Sequence, residues 1–206
     1  MTHWHNGCMI GPHPELHMNY VIVDLEATCW ETGTKVSRME IIEIGAVMLA
    51  LRSFEAIDEF SEFVRPTAEP VLSDFCKQLT GIRQKDVDKA DPFEAVFARF
   101  LHWIGDEPYT LCSWGAYDLN QFKVECERRH MPLPEPFENH INLKALLASL
   151  TQTKQRGMKA ALSMFGIPLE GRHHRGIDDA RNIAQIARVM LPVVANGDAA
   201  RERGEM

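Results

Sequence analysis

No apolar stretch in this 206-residue chain approaches the roughly 18 to 20 residues that a membrane-spanning helix requires. The N-terminus lacks the basic-then-apolar layout of a signal peptide, so export is not expected either. No Cys-x-x-Cys pair is present. The five cysteines (Cys8, Cys29, Cys76, Cys112, Cys126) are odd in number and mostly embedded in apolar runs, which excludes a disulfide scaffold and points to a reducing, cytoplasmic setting. Excess positive charge is missing as well: 22 basic against 29 acidic residues give a net charge of −7, which excludes a protein that holds nucleic acid by bulk charge. Repeats and low-complexity blocks are absent. What is present is an ordinary globular composition, 45% hydrophobic and 25% charged, of a length that fits one domain rather than two.

The chain divides into three parts. Residues 1–19 hold His3, His5, His13 and His17 among Gly and Pro without helical or strand period, and read as a flexible leader. Residues 20–192 carry the periodic signal, and 193–206 read as a polar, frayed tail. Tyr20 onward (YVIVDLEATC), Ile41–Leu49 and Phe54–Val64 are β-rich with short connections, which predicts three antiparallel strands. Helices are predicted at Val71–Leu79 and at Pro92–Ile104, where Phe93, Val96, Phe97, Phe100, Leu101 and Ile104 make one stripe. A fourth strand at Thr110–Trp114, a helix at Tyr117–Arg129, a short fifth strand at His140–Leu143 and helices at Lys144–Leu150, Met158–Phe165 and Asp178–Leu191 follow. This pattern describes an α/β fold with a mixed sheet flanked by helices on both faces.

Asp24 and Glu26 stand two apart in an otherwise apolar strand, so both carboxylates project from one face. Such a pair is either a solvent-facing strand end or a site that needs a cation. Asp118 lies in the first turn after the fourth strand, where a carboxylate serves the helix dipole or faces the crevice at the strand ends. In Arg172–Ile186, Asp179 shares a helical face with Ile183, Ile186 and Met190 and points inward, whereas Asp178 points outward and suits a cap. An inward aspartate needs a partner, an arginine or a metal.

DLEAT, SWGAYD and the C-terminal H-x-G-x-x-D together resemble the three motifs of the DEDDh 3′-to-5′ exonucleases, a branch of the RNase H-like fold. LSDFCKQLTGI (Leu72–Ile82), IIEIG and HRGIDDARNIAQIA extend the similarity to the subgroup of the histone-mRNA 3′-end exonuclease and KapD-like proteins. It spans about Tyr20 to Leu191. The resemblance implies an RNase H-like mixed five-stranded sheet, metal ligands Asp24, Glu26, Asp118 and Asp179, and His174 as general base. Pairing His173 with Asp178 would put Arg175 where the motif needs a small residue, whereas His174 puts Gly176 there; helical phase selects Asp179 independently. The large subgroup members carry an added nucleic-acid-binding domain, of which no counterpart is read here.

All-oxygen ligands imply two Mg²⁺, with Mn²⁺ able to substitute, and hence phosphodiester hydrolysis by the two-metal route. A histidine base works only when neutral, which predicts activity rising from about pH 6 to 8. The resemblance further implies that Phe75 stacks on the terminal base, Leu79 and Thr80 flank the 3′-nucleotide, Trp114 meets the second base, and the backbone at Ala27 and Thr28 meets the terminal sugar. Lys154 and Arg156, with Lys159 and Arg175, are candidates to track upstream phosphates. The implied partner is single-stranded nucleic acid with a free 3′-OH, RNA favoured and DNA open, with a protein partner also open. A DNA-trimming or proofreading-type exonuclease and a non-catalytic binding module are the alternatives.

Overall fold

In the computed structural model of the chain, residues 18–32 and 35–202 are described; nearly all of the His-rich leader lies outside them. Five strands, β1 (Asn19–Ala27), β2 (Ile41–Leu49), β3 (Ala56–Phe63), β4 (Tyr109–Ser113) and β5 (Ile141–Asn142), form one sheet in the order β3-β2-β1-β4-β5. β1, β2 and β3 pair antiparallel; β1–β4 and β4–β5 pair parallel. The mixed α/β sheet read from the sequence is the one observed.

The helices are α1 (Asp74–Thr80), α2 (Gln84–Asp88), α3 (Phe93–Ile104), α4 (Tyr117–Arg128), α5 (Leu143–Thr151), α6 (Met158–Met164) and α7 (Gly176–Glu202). Alternation along β1 decides which layer each side chain meets. Val21, Val23 and Leu25 face a core built with Phe93, Phe97, Phe100 and Phe122 of α3 and α4. Ile22 faces the opposite layer, where α5, α6 and α7 contribute Leu147, Leu162, Ile183 and Met190. Asp24 and Glu26 continue the Ile22 row, so the strand delivers both carboxylates to the α7 side of the sheet.

Three elements differ from the sequence reading. α1 begins at Asp74, not Val71, because Ser73 caps it: its Oγ accepts from Cys76 N at 3.0 Å and donates to the Cys29 carbonyl at 2.6 Å. α2 is too short for a period to be visible in sequence; Asp86 in its first turn accepts from the Arg83 backbone N–H at 3.1 Å and from the Arg83 guanidinium at 2.7 and 2.8 Å. α7 runs through Pro192 to Glu202, into the segment read as a frayed tail. Proline removes one backbone donor, yet the segment after it is alanine-rich, and alanine is the strongest helix former.

Candidate active site

The parallel pairing of β1 with β4 extends only from Asn19 to Ile22, after which the two strands part and open a crevice at their C-terminal ends. The Leu25 N–H therefore has no β4 partner, and Asp118 Oδ1 accepts from it at 3.0 Å. Asp118, in the first turn of α4, is 4% exposed. On the other side, the start of α7 lies almost in contact with the sheet: a Cβ on Gly45 would stand 2.1 Å from the Gly176 carbonyl carbon, and one on Gly176 would stand 3.0 Å from the Asp24 carbonyl oxygen. Any side chain at Gly45 would prevent this approach and one at Gly176 would crowd it; the close contact brings Asp179 of the first α7 turn over β1.

Asp24, Glu26 and Asp179 each offer an oxygen within 4.8 Å of the other two. Burial raises the Asp24 pKa, and Asp118, Glu26, Asp179 and Glu43 add to the effect by repulsion. Burial likewise pushes Glu26 up to about 9, with Glu43 and Asp179 next in importance. Asp118 is pushed up to about 6 by burial, opposed by its bonds to Leu25 N–H and Ser113. Carboxylates held this close, with no lysine or arginine paired to Asp24, Glu26 or Asp179 among the described residues, suit a hard, oxygen-seeking divalent cation; this donor set fits the implied ions.

His174 sits just before α7 in a left-handed conformation (φ 66°), and its N–H donates to Asp179 Oδ2 at 2.9 Å. The ring of His173 stacks on that of His174 at 3.9 Å and donates through Nδ1 to the same carboxylate at 2.9 Å. His174 is held below its ordinary pKa by burial first and then by His173, with Lys159 and Arg172 adding smaller contributions and Asp179 opposing.

A cleft of about 350 Å³ joins these groups and is lined by Asp24, Glu26, Ala27, Leu79, Trp114, Asp118, His174 and Asp179. Of the residues proposed from sequence to meet substrate, Ala27, Leu79 and Trp114 are thus on its wall. Phe75 is 38% exposed one turn from Leu79 on the same face of α1. Thr28 and Thr80 do not reach the cleft. Thr28 Oγ1 accepts from Glu40 N at 2.9 Å, and Thr80 Oγ1 donates to the Cys76 carbonyl at 2.9 Å while accepting from Ile82 N at 3.0 Å. Lys154 and Lys159 are exposed, and the Arg156 carbonyl accepts from Trp114 Nε1 at 3.2 Å. Arg175 forks onto Glu43 through Nε at 3.1 Å and Nη2 at 3.2 Å. Sequence reasoning missed Cys29, Met39, Tyr117, Met158 and His173 on the wall. His173 alone left a signal, its place beside the motif histidine.

Two strand carboxylates, two helix carboxylates and a histidine thus face one cleft. The exonuclease family of the RNase T type matches residues 21–187. The chain belongs to that family. It is 37% identical over 192 residues to ERI1 exoribonuclease 2 of Danio rerio, covering 83% of this chain and 34% of that protein. To human 3′-5′ exoribonuclease 1 it is 35% identical over 179 residues, covering 82% of this chain and 51% of the relative. The chain thus spans about a third to a half of these relatives' length. Among solved structures, the nuclease domain of 3′hExo, a DEDDh family member bound to rAMP, aligns with a TM-score of 0.80 at 33% identity over 86% of this chain and 94% of that one.

Proposed function

We propose that this chain is a divalent-metal-dependent 3′-to-5′ exonuclease that trims single-stranded RNA and releases nucleoside 5′-monophosphates. The observation that carries the reading is the convergence of Asp24, Glu26, Asp118 and Asp179 on one cleft with His174 at its rim. Relatives named as exoribonucleases, and a neighbour solved with rAMP, support RNA over DNA. The four carboxylates would hold two Mg²⁺ or Mn²⁺, which when bound activate water for attack and offset charge on the leaving 3′-oxygen. A neutral His174 imidazole takes the proton of the attacking water, and its lowered pKa keeps the neutral form dominant at pH 7. Asp179 orients that loop through the His174 N–H.

Residues 20–192 form the exonuclease unit in this reading. Ala27, Leu79 and Trp114 line the path of the 3′-terminal nucleotides, and exposed Phe75 offers a stacking face beside Leu79. Thr28 and Thr80 support that path from behind; Lys154, Arg156 and Lys159 meet upstream phosphates. Four free thiols among the described residues (Cys29, Cys76, Cys112, Cys126) suit a cytoplasmic location, and no described helix is long and apolar enough to cross a membrane.

The test is a time course on 5′-labelled RNA and DNA of one sequence with Mg²⁺, Mn²⁺ or EDTA, using wild type and His174→Ala. A ladder shortening from the 3′ end, abolished by EDTA and by the substitution and faster on RNA, is expected. Rapid cleavage of a circular single strand, or no cleavage with either metal, overturns the reading.

A further inference from the structure

Glu43 is a buried carboxylate at this site that the proposed reaction leaves unused. It stands directly opposite Glu26 in the β1–β2 register, on the same face, and is 0% exposed. Its charge is costly there, since it lies buried directly across the strand pair from a second carboxylate, and like charges opposite one another destabilise a sheet. An apolar side chain of similar volume would avoid that cost, because a buried ion pair rarely stabilises more than the apolar residues that could replace it. What Glu43 supplies instead is geometry. Its Oε2 accepts from Gly176 N at 3.0 Å and from Arg175 Nε at 3.1 Å, and its Oε1 from Arg175 Nη2 at 3.2 Å. The Arg175 guanidinium also lies 5.2 Å from the centre of the Phe63 ring, which fixes its plane. There is little slack, since a Cβ on Gly176 would already stand 3.3 Å from Glu43 Cδ.

From these contacts we infer that Glu43 and Arg175 buckle the loop that presents His174, making Glu43 a positioning residue for the hydrolysis. The inference rests on the reading of His174 as the base. His174 holds a left-handed backbone that non-glycine residues adopt uncommonly, so the contacts on either side of the loop help to hold it there. Asp179 fixes His174 from the front through its N–H; Glu43 fixes the two residues that follow from behind. Releasing the rear anchor leaves the carboxylate cluster in place but lets the imidazole drift. The consequence falls on the rate of the chemical step rather than on substrate binding.

Four variants test this: Glu43→Gln, Arg175→Lys, the double Glu43→Leu/Arg175→Met, and His174→Ala. Each is followed by kcat and KM on a single-stranded RNA in Mg²⁺, by melting temperature, and by amide hydrogen exchange of the 172–179 segment without metal. The double variant removes both charges together, so it is expected to melt close to wild type, yet to lose about 30-fold or more in kcat with KM within about threefold and faster exchange at the 174–176 amides. Glu43→Gln keeps an acceptor for the Gly176 N–H and should stay within about fivefold of wild type. Arg175→Lys keeps the charge but not the fork, and should lose about five- to tenfold in kcat with native melting. If the double variant does not fold, the lysine variant decides. Wild-type kcat in the double or the lysine variant overturns the positioning role, as does a loss of kcat that only tracks melting temperature. If His174→Ala retains wild-type kcat, the base assignment itself is wrong; if it is inactive while the Glu43 and Arg175 variants are fully active, only the positioning role is.

Discussion

Asp24 is flanked along β1 by buried residues, and after burial itself the carboxylates of Asp118, Glu26 and Asp179 are what raise its pKa. A carboxylate in that position weakens the metal-free fold at neutral pH, because the folded state resists the ionisation that the unfolded chain allows. Asp24→Asn removes the repulsion while keeping size and hydrogen-bonding capacity. In EDTA at pH 7 the variant should melt above wild type, by about 2–8 °C for a gain of about 1–2 kcal/mol in a chain of this size. With Mg²⁺ the order should reverse, and nuclease activity should fall at least about 100-fold. Differential scanning fluorimetry with and without Mg²⁺ reads both states. A variant that melts below wild type in EDTA would mean that Asp24 is held by contacts rather than opposed by its neighbours.

Between β3 and α1 the chain is organised by Glu40, whose carboxylate accepts from the backbone N–H groups of Thr67, Ala68 and Glu69 at 2.8 to 3.1 Å. Burial raises its pKa, but these donors and the Thr67 hydroxyl outweigh burial and hold it below the ordinary value of 4.5. A carboxyl depressed in the folded state stabilises the protein above its unfolded pKa, and that contribution is lost as pH falls through the folded value. Glu40→Gln should therefore cost about 1–3 kcal/mol at pH 7 and progressively less below about pH 4.5, read as a gap in melting temperature that narrows on acidification. A gap of equal size at pH 7 and pH 3.5 would reject the charge-based account. Nothing in the sequence near Glu40 announces this role, because its partners are backbone groups 27 to 29 residues away. The same distinction governs the rest of the fold and site. That Asp24 and Glu26 share a strand face and that Asp179 points inward was legible because strand alternation and helical phase are local, as was the Phe93–Ile104 stripe; grouping them with Asp118 and His174 came from the resemblance of the motifs, and the order of the strands was not legible at all. The roles of Glu43, Gly45, Thr28 and Thr80 were not, since they follow from register and from the approach of α7 to β2, which no short window contains. Tyr117, Met39 and Met158 reach the cleft as ordinary side chains with no residue-type signature.

For the whole molecule, the proposed activity requires a chain of net charge −7 to hold a polyanion. The segment from Ile141 to Met190 has eight basic against three acidic residues, but the fold consumes several of the cations. Arg175 pairs with Glu43, Arg181 with Glu59 and Asp178, and Arg188 with Glu55, whereas Lys154, Arg156 and Lys159 make no ion pair among the described residues. Lys144 and Arg172 likewise make no ion pair among the described residues, but the proposed path assigns upstream phosphates only to Lys154, Arg156 and Lys159, which makes three contacts. For a single strand the slope of log affinity against log salt is about −0.7 per neutralised phosphate, so three contacts predict a slope near −2. Raising monovalent salt fourfold should then weaken binding by roughly 15- to 20-fold. Fluorescence anisotropy of a labelled single-stranded RNA with the His174→Ala protein measures this without turnover. Lys154→Ala should flatten the slope by about 0.7 and weaken binding alike on every sequence, as a phosphate contact does and a base contact does not. A slope near zero would place the binding energy in stacking at Phe75 and Trp114 instead, and alanine at either of those positions would then cost more than the loss of all three cations.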